Sequence, residues 1–290
     1  MNSVKVIDNL EYEKNLYNKG IEFIAGVDEV GRGPLVGPVV TACIVLPKGY
    51  ILEGLTDSKK LSEKKREYFY DIIMKDALGI GIGIKDEKVI DEVNIYEATK
   101  LAMYEAISNV GCKVEHVLID AMKLEDLNIP STSIIKGDYL SQTIAAASVI
   151  AKVTRDRMMD ELDKKYPEYN FKKNKGYPTK EHKEAIEKYG IIKEHRKTFK
   201  PVSYNLNKHY NDKKLKIWYY ILVGVVMEKY KDMSIKKRSD LKMLRNLVLF
   251  LALIIFTFWF IFKDQDLGEL FKVISSVDLK YAALGAFFIL

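Results

Sequence analysis

Short β-rich apolar runs alternate with longer helical stretches through the first two hundred residues, and that order constrains the fold more than any other feature. Residues 21–28 and 36–46 are two such runs, joined by the turn Gly31-Arg32-Gly33-Pro34. Residues 78–84 alternate glycine with apolar side chains, and 114–119 form a short apolar run closing on Asp120. Runs of this length read as strands. Between them, 62–74 opens on an N-cap serine and carries Tyr68, Phe69, Ile72 and Ile73 at helical spacing. Residues 92–110, the Ala-rich 139–162 and 180–189 are further helical stretches, the last closing at Gly190, a favourable residue just past a helix end. Strands and helices in this order imply an α/β domain.

Composition bounds the function. Hydrophobic residues make up 48% of the 290, enough for a packed core. Cys43 and Cys112 are the only cysteines. Two thiols exclude a disulfide scaffold and a four-thiolate zinc site, and these two read as buried thiols in a reducing compartment. Residues 1–10 carry charge and no apolar core, which excludes a secretory signal. The net charge of +6 is uneven: 17 basic against 23 acidic residues over 1–140, then 19 against 10 over 141–217. An acidic half before a basic half suits a carboxylate-lined site beside a surface that meets polyanions.

The acids that carry chemistry stand at element ends. Asp28 and Glu29 close a strand just before Gly31 and Gly33. Adjacent carboxylates are costly to bury unless a cation compensates, and oxygen ligands favour Mg²⁺ or Mn²⁺. Asp120 ends an apolar strand, where an acid has no packing reason to be. Asp138 follows Lys136-Gly137 and by itself reads as a helix N-cap. Four acids at the ends of separate elements match what a two-metal phosphoryl-transfer site requires. His116, His182, His195 and His209 share no metal-ligand spacing, and zinc is not indicated.

Residues 25–39, Ala-Gly-Val-Asp-Glu-Val-Gly-Arg-Gly-Pro-Leu-Val-Gly-Pro-Val, resemble the signature of bacterial ribonuclease HII. So do Asp57-Ser58-Lys59-Lys60-Leu61, Ile119-Asp120-Ala121, Lys136-Gly137-Asp138 and the helix at 145–156. Lys175-Gly176-Tyr177-Pro178-Thr179 and His195-Arg196-Lys197-Thr198-Phe199 complete the set in family order, so that the match spans about 22–202. The resemblance implies a ribonuclease-H-like mixed sheet flanked by helices, with a small C-terminal helical part. It implies cleavage of RNA in RNA–DNA hybrids, and 5′ to single ribonucleotides in duplex DNA, as in replication and repair. The family's catalytic, metal-binding acids correspond to Asp28, Glu29, Asp120 and Asp138, with Mn²⁺ or Mg²⁺ as cofactor. The turn Gly31-Arg32-Gly33 would read the 2′-OH that tells RNA from DNA. Tyr177 would pack on the next sugar and prefer one lacking that hydroxyl. Lys59, Lys152, Arg155 and Lys175 are candidate phosphate contacts. Ala121 departs from the family, where many members carry glycine.

These readings divide the chain into a catalytic domain over 1–204, expected to be monomeric and cytoplasmic, a polar and basic linker over 205–240, and a tail over 241–290. The tail holds an apolar stretch at 247–262 behind the basic cluster Lys236, Lys237, Arg238, Lys242 and Arg245. Its 16 residues are close to the usual lower limit of about 17 for a spanning helix. It reads as a membrane tether, with Lys236–Arg245 on the cytoplasmic side. Residues 267–290 weakly resemble the start of a lysylphosphatidylglycerol synthetase/flippase-type membrane protein, as a fusion or a truncated reading frame would leave. Two rival readings are another nuclease of the same fold, and a membrane protein whose N-terminal domain only binds hybrids. The Gly31–Gly33 turn and Tyr177 speak against the first, and four acids together against the second.

Overall fold

The computed structural model describes residues 9–206 together with residue 245. The chain divides into two units, Met1–Leu215 and Lys216–Leu290. The first holds a central sheet and the helices around it. Most of the expected linker, the tail and the apolar stretch at 247–262 lie outside the described residues. Among the described residues no helix is long and apolar enough to cross a membrane.

The sheet is mixed and has five strands. In chain order these are β1 (Ile24–Val30), β2 (Val39–Val45), β3 (Gly79–Lys85), β4 (His116–Asp120) and β5 (Ser131–Ile134). Their spatial order is β3-β2-β1-β4-β5. The β1–β2 and β2–β3 pairs are antiparallel, while β4 runs parallel to both β1 and β5. The helices are α1 (Glu11–Tyr17), α2 (Glu63–Asp76), α3 (Glu87–Ser108), α4 (Gly137–Leu140), α5 (Gln142–Lys165), α6 (Phe171–Asn174) and α7 (Lys180–Tyr189).

Side chains alternate across a strand, so each strand feeds two cores. Val30, Val40, Ala42 and Ile44 face α2 and the alanine-rich half of α5. Ala25, Val27, Cys43 and Val45 face α3 on the other side. Glycines set how closely the layers approach. A Cβ at Gly26 would lie 2.2 Å from the backbone of Thr143, so the start of α5 rests directly on β1. Gly81 and Gly83 do the same for α3, where added Cβ atoms would meet the carbonyls of Ala106 and Ala102. A third core, built from Leu35, Val36, Met159, Tyr169, Phe171 and Ile186, joins the turn after β1 to the C-terminal helical part.

Several boundaries differ from the sequence reading. The strand expected at 21–28 starts and ends later, so Asp28 and Glu29 are both within β1. The helix expected at 92–110 begins at Glu87, because the Asp86 carboxylate caps the backbone N–H groups of Lys88 and Val89. It kinks at Asn94 (φ 71°), whose side chain caps Tyr96 and Glu97. The stretch expected at 139–162 is two helices, because Ser141 is extended and its hydroxyl opens α5. Helix α1 and strand β5 have no counterpart in the sequence reading. Strand β5 is mostly polar Ser-Thr-Ser at a sheet edge.

Candidate active site

The parallel register of β1 and β4 pairs Val27 with Ile119. Asp28 and Asp120 are the next residues on each strand, so strand alternation sends both carboxylates to the α5 face. Asp138 reaches the same place from α4, where the neighbouring Gly137 N–H donates to Asp120 Oδ1 at 2.7 Å. Carboxylate oxygens of Asp28, Asp120 and Asp138 lie within 4.8 Å of one another. Asp138 does not cap a helix: Lys136 precedes α4 in a left-handed conformation, and Ser141 caps α5.

Glu29, the next residue on β1, is not part of that triplet, although its charge still reaches Asp28 and Lys59. Its Oε1 lies 3.4 Å from Arg32 Nη1. Its Oε2 is buried without a hydrogen-bond partner among the described residues, as is the hydroxyl of Thr41, directly opposite on β2. An anionic oxygen in that state is costly unless a cation satisfies it. The oxygen-only donor set of the acids suits a hard divalent cation.

Electrostatics support the same point. Burial raises the Asp28 carboxyl well above the usual carboxylate range, and the charges of Glu29 and Asp120 add to it. Burial also raises Asp120, against the Gly137 N–H. Asp138 is pushed up to about 6 by burial and then by Asp57 and Asp120. Carboxyls raised together by burial and mutual repulsion, which Lys59 offsets only in part, form a cluster that favours a bound cation.

The segment following Leu55 supplies four side chains to this cluster or its wall. Asp57 shares a hydrogen bond with Asp138. Ser58 bonds Ser148 of α5 at 2.8 Å, and Ser148 in turn bonds Asp28. Lys59 loses solvation, yet Asp28, Asp57, Asp138 and Glu29 hold its pKa above the ordinary lysine value. Lys60 lies 4.4 Å above the Tyr139 ring. The sequence points to Lys59 and leaves Asp57, Ser58 and Ser148 unmarked, although Asp57 and Ser58 directly precede that lysine in the same motif.

Tyr177 and the Gly31–Gly33 turn are brought together. A side chain at Gly33 would come within 3.3 Å of the Tyr177 ring, which is 39% exposed. Leu35 N–H donates to Gly176 O at 2.8 Å, tying the two loops. The turn is braced from within by two guanidinium groups that the solvent does not reach. Arg196 donates to the carbonyls of Gly31, Arg32 and Gly37 at 2.6–3.0 Å. Arg155 donates to Val36, Pro38 and Lys175 at 2.9–3.2 Å. Burial lowers both, to about 9 and about 10, so both remain charged at neutral pH.

The expectation that Arg155 contacts phosphate is therefore wrong: all of its fork is spent on backbone carbonyls. Lys152 and Lys175 are engaged too, with Asp156 at 2.6 Å and Asp160 at 2.5 Å. A sequence reading counts a cation as available, and three of these four candidates already have partners.

The model of the ribonuclease HII family matches residues 25–205. A ribonuclease HII of Bacillus cytotoxicus is 62% identical over 192 residues, covering 66% of this chain and 74% of its own. One of Bacillus cereus strain B4264 is 58% identical over 204 residues, covering 70% and 79%. The chain belongs to the ribonuclease HII family. Among solved structures, ribonuclease H2 from Pyrococcus horikoshii OT3 superposes with a TM-score of 0.56 at 26% identity, covering 63% of this chain and 96% of that one. The RNase HII of Archaeoglobus fulgidus, solved in complex with PCNA, gives 0.53 at 26%, covering 61% and 95%.

The sheet and its flanking helices are those of a ribonuclease H. As a ribonuclease HII, the chain is a type 2 ribonuclease H, a divalent-metal-dependent endoribonuclease acting on RNA–DNA hybrids. The family match ends at residue 205, and these relatives lend no support to a membrane-protein likeness at 267–290. Ala121, the departure from the family pattern, adopts φ 46°, a conformation that glycine occupies without strain.

Proposed function

We propose that this ribonuclease HII cuts on the 5′ side of single ribonucleotides embedded in duplex DNA, as well as in hybrids, leaving 3′-hydroxyl and 5′-phosphate ends. The observation that carries this reading is the convergence of Asp28, Asp120 and Asp138 beside a turn that lies against Tyr177. Asp28, Glu29, Asp120 and Asp138 would hold the divalent metal, Mg²⁺ or Mn²⁺. When bound, two such ions supply activation of the attacking water and stabilisation of the leaving 3′ oxygen.

The chain's own residues do the rest. Ser148 and the Glu29 N–H orient the Asp28 carboxylate, while the Gly137 N–H orients Asp120. Lys59, in the field of the acids, offers a cation to a backbone phosphate at the cluster. Gly31, Arg32 and Gly33 meet the ribose bearing the 2′-OH, and Tyr177 packs on the following deoxyribose. These assignments rest on the motif matches and on the proximity of the two loops. They confine the working unit to residues 1–204, a monomer acting where the DNA is.

A nicking assay tests this. One duplex is compared with and without a single ribonucleotide, in Mg²⁺, Mn²⁺ or EDTA. A single cut 5′ to the ribonucleotide, seen with metal and lost in EDTA, is expected. Cleavage of long hybrids with none at the single ribonucleotide would overturn the proposal.

A further inference from the structure

Beneath the Tyr177 loop lie two histidines that solvent does not reach, His182 on α7 and His195. Their rings pack among Phe171 and Tyr169, whose centroids lie 5.3 Å from His182 and 5.6 Å from His195 respectively. Three contacts link them into one chain. The Ile192 N–H meets His195 Nδ1 at 3.0 Å. His195 Nε2 meets His182 Nε2 at 3.2 Å. His182 Nδ1 meets the Tyr177 carbonyl at 2.9 Å.

The proton positions follow from the two ends. An amide N–H only donates, so His195 Nδ1 accepts and the neutral ring carries its proton on Nε2. A carbonyl only accepts, so His182 carries its proton on Nδ1 and its Nε2 accepts. The two assignments, made independently, meet in the middle with one donor and one acceptor. A proton added to either ring would break this chain at one of its three contacts. Burial keeps both rings neutral, His195 with a pKa of about 3.

We propose that the His195–His182 chain is a positioning device for Tyr177, setting the height of its peptide against Gly33 and so the enzyme's preference for a ribonucleotide–deoxyribonucleotide junction. The inference rests on the reading of Tyr177 as the junction-sensing residue. The mechanical link is short. The Tyr177 carbonyl receives both His182 Nδ1–H and the Thr179 N–H, and the adjacent Gly176 carbonyl receives Leu35 from the turn. A shift of the Tyr177 peptide would therefore move the ring relative to the turn. Neither histidine is among the acids or their hydrogen-bond partners, so the metal site has no part in this coupling.

Two measurements on the full chain test it. Long-range ¹H–¹⁵N spectra at pH 7 should show His182 as the Nδ1–H tautomer and His195 as the Nε2–H tautomer. The reverse assignment, or a charged ring, would overturn the proposal before any variant is made. The second readout is the ratio of cleavage at a single embedded ribonucleotide to cleavage of a uniform hybrid. His182→Leu should lower this ratio about tenfold with unchanged Mg²⁺ dependence. His182→Asn, whose amide returns a donor to the Tyr177 carbonyl, should restore most of it. Tyr177→Ala is measured alongside. If it lowers the ratio while folded His182→Leu does not, the histidine chain has no positioning role and the reading of Tyr177 stands. If Tyr177→Ala leaves the ratio unchanged, both are wrong.

Discussion

Asp28 is 3% exposed and shares its site with two other carboxylates. Asp28→Asn should reduce cleavage by about three orders of magnitude or more, as loss of an orienting ligand group does. The same change removes one of several mutually repelling buried charges, so the metal-free protein should melt at an equal or higher temperature. Near wild-type turnover in Mg²⁺ would remove Asp28 from the metal site. Ala121 makes a second case. An L-residue in the left-handed region costs about 1–2 kcal/mol, against about 0.5–1 kcal/mol for the extra unfolded-state freedom of glycine. Ala121→Gly should therefore gain about 0–1.5 kcal/mol in urea unfolding with activity unchanged, and a loss would show that the alanine methyl packs usefully. The acids are legible in the sequence because a carboxylate at the end of an apolar strand has no packing reason to be there. Arg155 and Arg196 are not. Nothing in a sequence shows that a guanidinium's donors will be engaged by backbone carbonyls, most of them more than a hundred residues away.

At the level of elements, the site depends on how close α5 lies to β1. Gly26 is the point of contact, and a methyl there would meet Thr143 backbone at 2.2 Å. Gly26→Ala should cost about 1–3 kcal/mol through overpacking and should reduce turnover by moving Ser148 away from Asp28. Full activity with lowered stability would mean that the strand, and not the helix, gives way. The histidine pair makes a pH prediction. The folded pKa of His195 is about 3, below the unfolded value of about 6.5. Its contribution to stability is thus complete above pH 6.5 and lost as pH falls toward 3. The unfolding free energy of wild type minus that of His195→Gln should fall by about 1.4 kcal/mol per pH unit across that window. A difference that stays flat from pH 7 to 5 would contradict the buried neutral ring. Helix α7 is readable at its true limits because Thr179 and Gly190 mark both ends. The start of α3 is not, because Asp86, a capping aspartate, lies between charged neighbours and looks like surface. Strand β5 escapes because an edge strand with one buried residue in four has no apolar pattern to detect.

For the whole molecule, the described site residues all precede Val202, and the family match ends at 205. A chain ending at Lys208 should fold, remain monomeric by sedimentation, and cleave with the turnover of the full-length protein. Loss of folding or activity on truncation would make residues beyond 208 part of the catalytic unit. The charge asymmetry is legible as numbers, but its use is only half so. The acidic half does supply the clustered carboxylates Asp28, Asp120 and Asp138, whereas several cations of the basic half brace the interior or pair with acids on their own helix.

That bracing fixes a direction. In a trans peptide the C=O and the following N–H point opposite ways. Arg196 draws the carbonyls of Gly31 and Arg32 inward. The N–H groups of Arg32 and Gly33 must then turn outward. One buried cation thereby gives the turn a polarity: the rim facing away from Arg196 carries the N–H donors of Arg32 and Gly33, and a ligand approaching there meets hydrogen-bond protons.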